Sequence, residues 1–305
     1  MSERTHRGPR DALERYGNLN GCVALERLYD GPLVRLMHWK CLHDGPQLRS
    51  ERYHDDLVLA LPHHGSFRIH SAGRSAMVDP NYAVLHAPDT PYRISHPHGC
   101  GDRGVHLVVR RDVAQDLLAE LDPRLEERWF SGRPQPVRLL PMPSQDHFHL
   151  HLLSHRLRNG ATDSMAVEEI GLDLLAGLVR RHGEPTRPRR RGTREDHRHL
   201  ADTVRTVLQL RFREALSVEE IAEQVHVSPF HLCRVFKRET GLPLHRYRTR
   251  LRLVAALDQI TIGDDDLSRL ALDLGFSNHS HLTSAFHREF GLAPSTVREQ
   301  ARRVN

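Results

Sequence analysis

The last third of the chain contains one sequence pattern used twice. The stretch SVEEIAEQVHVSPFHLCRVFKRETGLP from Ser217 is echoed by LSRLALDLGFSNHSHLTSAFHREFGLAP from Leu267. Ile221 and Ala222 match Leu270 and Ala271, and His226, Val227 and Ser228 match Gly275, Phe276 and Ser277, at an offset of 49. The offset then becomes 50, so that Leu232, Phe236, Glu239 and Gly241 match Leu282, Phe286, Glu289 and Gly291. A repeat of roughly fifty residues is a supersecondary unit used twice, which constrains the fold of this region more than any single motif.

Each copy reads as two short helices joined by a tight turn. Ser217 and Glu220 form an S-x-x-E capping box, in which each side chain satisfies a free backbone N–H at a helix start. The pattern breaks at His226, and Ser228 followed by Pro229 then supplies an N-cap and a proline at the first helical position. The second helix buries Leu232, Val235 and Phe236 at i, i+3 and i+4 and closes at Gly241, a residue free to turn left-handed. Its outward residues are Pro229, Phe230, His231, Cys233, Arg234, Lys237 and Arg238. A short helix with one buried stripe and a basic opposite face fits a DNA major groove, where an arginine fork matches guanine. An ordinary surface helix would share these features. Two copies bridged by a long helix from Pro243 to about Leu257 favour DNA. A rigid bridge would set the two second helices about 34 Å apart, one turn of the duplex.

On these motifs residues 199–303 resemble the DNA-binding domain of the AraC/XylS family of transcription regulators. The resemblance is carried by the I-A and G-F-S turn signatures, the run Arg234 to Pro243 (RVFKRETGLP) and the run Phe286 to Pro294 (FHREFGLAP). It implies two helix-turn-helix units on one linking helix. Bases would be read by Phe230, His231, Cys233 and Arg234 in the first unit and by His279, Ser280, Thr283 and Ser284 in the second. Ser228, Pro229, Lys237, Arg238, Asn278, His287 and Arg288 complete the implied DNA-binding surface. His226 stands where the family often has glycine, and Ser284 where many members have a basic residue.

A chain of 305 residues accommodates two domains. Residues 1–183 balance 23 Lys+Arg against 23 Asp+Glu, whereas 21 stand against 16 from residue 184 onward, so the net +5 sits in the C-terminal part. A positive excess confined to one domain suits a polyanionic partner. The boundary is GEPTRPRRRGTRE, residues 183–195, a Pro- and Arg-rich tether without an apolar residue. The expected division is therefore an effector-binding and dimerisation domain at 1–182, a linker at 183–195, and the double helix-turn-helix domain at 196–305. No apolar run spans a bilayer and the first residues lack the apolar core of a secretory signal, which points to the cytoplasm. Four dispersed cysteines without a C-x-x-C pair signal neither a disulfide framework nor a zinc knuckle.

Residues 57–110 carry short apolar runs, LVLALP, FRIH, AVLHAP, YRISHP and VHLVV, broken by Pro, Gly and Asp, the spacing of a β barrel or sandwich. Asp112 could cap a helix through Leu121, and helices are expected over 145–158 and 164–181. In the latter, Val167, Ile170, Leu174, Leu175, Leu178 and Val179 form a stripe suited either to packing on the β domain or to a subunit interface. This half resembles the cupin-like effector domain of the same family, so the expected fold is α+β: a cupin-like β-barrel with dimerisation helices, then an all-α domain. A metal-dependent cupin enzyme needs a His-x-His pair, a carboxylate and a further His. Here Arg52 and His54, Val58 and Tyr92 fall at those places, which argues against an enzyme and against a resident cofactor. His96, His98 and Cys100, with His106 nearby, form an alternative ligand cluster, so a metal-responsive or redox-responsive regulator stays open beside an effector-responsive one. An organic effector is expected in the barrel mouth, lined by some of His54, Phe67, Tyr82, His86, Tyr92 and His96. The expected partners are double-stranded DNA, that effector, a second copy of the chain and RNA polymerase, with an activating role and no membrane.

Overall fold

A computed structural model describes residues 17–19, 23–41, 48, 51–97, 101–131, 135–160, 163–182, 191–262 and 266–302. Among the described residues the N-terminal part has ten strands: β1 (Gly17–Leu19), β2 (Val23–Asp30), β3 (Val34–Cys41), β4 (Leu57–His64), β5 (Phe67–Ser71), β6 (Arg74–Val78), β7 (Tyr82–His86), β8 (Arg93–Ser95), β9 (Arg103–Val109) and β10 (Arg138–Pro141). They form a seven-stranded sheet in the order β1-β2-β3-β9-β4-β7-β10 and a three-stranded sheet in the order β6-β5-β8. The expected closed cupin-like barrel is therefore corrected. Among the described residues no sheet closes, because β5, β6 and β8 pair only with one another and meet the large sheet through side chains.

Period-two alternation sorts the side chains of the large sheet onto two buried faces, so its strands read as nearly continuous apolar runs. Val34, Leu36, Leu57, Leu59, Leu61, Ala83, Leu85, Val105 and Leu107 face a layer of helices. Trp39, Ala60 and Val84 face the small sheet and pack with Phe67, Ile69, Val78 and Tyr92. The helices are α1 (Arg111–Leu121), α2 (Pro123–Phe130), α3 (Ser144–Arg158) and α4 (Ser164–His182). The N-cap of α1 is Arg110 rather than Asp112. The start is held by Asp56, whose carboxylate accepts the Arg111 amide at 3.0 Å, and this leaves Asp112 in the first turn. The α4 stripe packs on the sheet through Val167, Leu174, Leu175, Leu178 and Val179, while Ile170 stays exposed.

The C-terminal part is helical: α5 (Arg191–Arg211), α6 (Val218–Gln224), α7 (Pro229–Thr240), α8 (Leu244–Ile262), α9 (Leu267–Asp273), α10 (His279–Phe290) and α11 (Pro294–Arg302). Residues 191–195, expected in the linker, are thus the first turn of α5, and 183–190 lie outside the described residues. Helix α8 is the spine. Leu244, Tyr247 and Leu251 enter one core with Leu208, Ile221, Leu232 and Phe236, whereas Leu253, Ala256, Leu257 and Ile260 enter a second with Leu270, Phe276, Leu282 and Phe286. Helical spacing along one element therefore serves both repeats.

The two parts share a polar and apolar seam. Phe148 of α3 stacks on Phe290 with ring centroids 5.3 Å apart and belongs to the second helical core. Arg205 of α5 donates to the buried Asp79 carboxylate at 3.0 and 3.2 Å, and the Tyr247 hydroxyl donates to the same oxygen at 2.6 Å. Among the described residues no helix is long and apolar enough to cross a membrane.

Candidate nucleic-acid interface

The local chemistry of the first unit does what its sequence requires. Ser217 and Glu220 make both halves of a capping box at the start of α6. The Ser228 hydroxyl accepts the His231 amide at 3.2 Å, Pro229 opens α7, and Gly241 closes it at φ 78°. Between α6 and α7 the chain turns through His226 at φ 55°. The equivalent turn of the second unit uses Gly275 at φ 81°, where a Cβ would lie 2.2 Å from the Arg213 carbonyl oxygen. That turn is closed by glycine for steric reasons, whereas the first tolerates a side chain in left-handed backbone. The second unit has one more residue, Ser277, before its cap. Asn278 takes the capping role there and accepts the His281 amide at 2.8 Å, and Gly291 closes α10 at φ 78°.

This geometry decides which side chains face solvent. Leu232, Val235 and Phe236 are buried, and Ser228, Pro229, Phe230, Cys233, Arg234, Lys237 and Arg238 are exposed. Phe230 is 79% exposed, far more than a core phenylalanine, at the N-terminal end of α7. His231 is half-buried, its ring 5.8 Å from that of His197 on α5. Arg238 is held by Glu239 and His197, whereas Arg234 and Lys237 form no salt bridge among the described residues. On α10, Asn278, His279, Ser280, Ser284, His287 and Arg288 are exposed and Thr283 is half-buried, its hydroxyl 3.3 Å from His279 Nε2. The sequence-predicted residues therefore lie on the outer faces of α7 and α10, with fixed positive charge denser on α7.

The predicted effector residues divide. Phe67, His86, Tyr92 and His96 line one cavity of about 50 Å³ between the two sheets, with Trp39 and Asp102. His54 Nε2 lies 2.9 Å from the Tyr92 hydroxyl at its edge. Tyr82 is elsewhere: it belongs to the core of the first helical unit, with the Arg205 guanidinium 4.1 Å from its ring centroid. Burial pushes His86 well below its ordinary value, His106 to about 3 and His54 to about 4, so these rings are neutral. Burial opposes charge on His96 too, but its bond to Asp102 and the neighbouring Cys41 more than offset this and raise it to about 10. Asp102 accepts from Trp39 through one oxygen and from His96 through the other. One ligand atom from each of Cys41, His96 and Asp102 lies within 4.8 Å of the others. His98 and Cys100, the rest of the sequence-predicted cluster, lie outside the described residues.

Sequence reasoning missed the seam, above all Arg205, Asp79 and Tyr247, and the docking of α3 on α10, where Gln145 donates to the Glu289 carbonyl at 3.1 Å. The partners are far apart in the chain and carry no local signature.

Two helix-turn-helix units on one linking helix, each with a capped, outward-facing second helix, define a double helix-turn-helix DNA-binding domain. Residues 221–300 match the family described as a helix-turn-helix domain. The C-terminal third is a domain of the AraC/XylS type. It is similar to the HTH-type transcriptional activator RhaS of Escherichia fergusonii, 39% identical over 92 residues, which are 30% of this chain and 33% of that protein. RhaS of Yersinia pestis is 34% identical over 93 residues, 30% of this chain and 34% of its own length. The chain thus spans about a third of the length of these curated relatives. Among solved structures, ToxT from Vibrio cholerae aligns over 88% of this chain and 98% of its own at 9% identity and a TM-score of 0.34. The C-terminal domain of AraT from Geobacillus stearothermophilus aligns over 33% and 84% at 25% identity and a TM-score of 0.32.

Proposed function

We propose that the chain is a sequence-specific DNA-binding transcription activator, controlled by a small molecule bound in its N-terminal domain and acting in the cytoplasm by binding rather than by turnover. The observation that carries this reading is the pair of outward-facing helices, α7 and α10, fixed by one spine helix that contributes to both cores. Their N-terminal residues, Phe230, His231, Cys233 and Arg234 with His279, Ser280, Thr283 and Ser284, would meet base edges. Ser228, Pro229, Lys237, Arg238, Asn278, His287 and Arg288 would meet phosphates and fix register. The activating role is supported by similarity to proteins described as transcriptional activators. A second copy of the chain and RNA polymerase complete the proposed assembly.

The effector site we propose is the cavity between the sheets, lined by Phe67, His86, Tyr92 and His96, with His54 bonded to Tyr92 beside it. Neutral imidazoles, aromatic faces and one imidazolium–carboxylate pair suit a small ligand with an aromatic or apolar body and one polar end. At about 50 Å³ the cavity is far smaller than the roughly 300–1,000 Å³ of drug-sized pockets, so binding requires the sheets to part. The test is genome-wide mapping of the DNA bound by the full chain, with Arg234→Ala beside it. If Arg234 reads guanine, the variant binds its site about 1–3 kcal/mol more weakly and loses preference at one base position. Unchanged affinity and preference would remove Arg234 from the interface.

A further inference from the structure

Three side chains from three elements meet at the seam, on the helix-facing side of the large sheet. His63 comes from β4, His151 from α3, and Asp258 from the spine helix α8. One ligand atom from each lies within 4.8 Å of the others. They line a cavity of about 190 Å³ together with His38, His147 and Thr261. We propose that His63, His151 and Asp258 bind a divalent transition-metal ion of the zinc class, which ties the spine helix of the C-terminal domain to the N-terminal sheet.

The geometry is that of a ligand set rather than of a hydrogen-bonded cluster. His63 Nδ1 is 3.4 Å from Asp258 Oδ1, longer than a good N–H···O bond. It is close to the spacing of about 3.3 Å that two donors take around a tetrahedral ion with bonds of about 2.0–2.1 Å. Two imidazoles and one carboxylate, with a fourth position left to water, form a donor set that suits zinc, cobalt or nickel. Each donor is oriented by a neighbour, as ligating residues commonly are. His38 Nε2 lies 3.2 Å from His63 Nε2, the Thr261 hydroxyl 2.8 Å from His151 Nε2, and Arg103 donates to Asp258 Oδ2 at 3.0 Å, leaving Oδ1 toward His63.

The chemistry of the surroundings agrees. His147 Nδ1 is buried without a hydrogen-bond partner among the described residues, in the wall of the same cavity. The other cluster, Cys41, His96 and Asp102, differs in that one carboxylate oxygen accepts from the Trp39 indole and the other is paired with His96.

The full chain, stripped of metal by a chelator, is titrated with Co2+ followed by visible absorption and with Zn2+ followed by calorimetry. One equivalent is expected, with d–d bands of a nitrogen and oxygen site and no thiolate charge-transfer band. His151→Ala and Asp258→Asn should each weaken Zn2+ binding by about a hundred-fold or more, whereas Cys41→Ala binds like the parent. The melting temperature of the parent rises with Zn2+, and that of His151→Ala does not. His151 is only half-buried, so its alanine variant should fold even where Asp258→Asn fails, and circular dichroism checks this. Absence of saturable uptake, uptake indifferent to His151→Ala, or uptake abolished by Cys41→Ala overturns the assignment. The titration contains no DNA, so its result is independent of the DNA-binding reading.

Discussion

Replacing Asp79 by asparagine probes how the two parts of the chain are held together. The Asp79 carboxylate is fully buried and takes three hydrogen bonds through one oxygen, from Arg205 Nε and Nη2 at 3.2 and 3.0 Å and from Tyr247 at 2.6 Å. Arg205 is 4% exposed, and although burial opposes its charge, Tyr247 and Asp79 hold it protonated. Asp79→Asn therefore strands a buried guanidinium with Asp202, at 3.0 Å, as its remaining anion. Removing one partner of a buried pair costs about 3–5 kcal/mol, and the retained amide oxygen and Asp202 place the expected loss near the lower end, about 3 kcal/mol. Tyr247→Phe removes the hydroxyl that donates to Asp79 and accepts from Arg205 Nε at 2.9 Å, and should cost about 1.5–3 kcal/mol. Because both changes act on one carboxylate, the double variant should lose less than the sum of the single losses, by at least about 0.5 kcal/mol. Urea unfolding of the parent, both single variants and the double variant measures all of these terms. A loss under about 1 kcal/mol for Asp79→Asn, or strict additivity, would refute the seam network as a stabilising unit.

Two further outcomes follow from local geometry and charge. Gly275→Ala should destabilise by about 2–3 kcal/mol or more, because it puts a Cβ against the Arg213 carbonyl in left-handed backbone, whereas His226→Gly should be neutral or stabilising by up to about 1 kcal/mol; thermal unfolding of both variants checks the contrast. The His96–Asp102 pair should contribute stability below about pH 6.5, where the unfolded histidine is also protonated. That contribution falls as pH rises toward about 10, so the stability gap between the parent and Asp102→Asn should narrow across this window in urea titrations.

The C-terminal architecture was legible because its signals are local. The Ser217 capping box, the Ser228–Pro229 start and the left-handed Gly241 and Gly291 all act within a few residues of what they determine, and the second copy repeats the closing glycine and replaces the caps with Asp266 and Asn278. Even the departure at His226 was visible, since its place in the turn demands positive φ. The N-terminal half was less legible because its order rests on distant pairings, β3 with β9 and β4 with β9, and because strands buried on both faces lose the alternation that separates inside from outside. Hence Tyr82, on the same parity as Val84 and His86, was expected in the effector cavity but lies at the strand end against Arg205. Asp79 and Arg205 are 126 residues apart, and nothing near either residue announces the other.

The central claim is that α7 and α10 read DNA, with α7 supplying most of the discrimination. Arg234, Lys237 and Arg238 lie on its outer face, against Arg288 with His279, Ser280, Thr283, Ser284 and His287 on α10. Histidines and hydroxyls can donate to bases, but they lack the guanidinium fork and the fixed charge that displaces counterions. The most direct measurement is selection from a randomised duplex library by three proteins: the parent, a variant with Phe230, His231, Cys233 and Arg234 changed together to alanine, and one with His279, Ser280, Thr283 and Ser284 so changed. The parent should enrich one motif with two elements about a helical turn apart, the first variant should lose its base preferences, and the second should keep most of them. A parent that enriches nothing, or a second variant that loses its preferences while the first keeps them, would contradict the account.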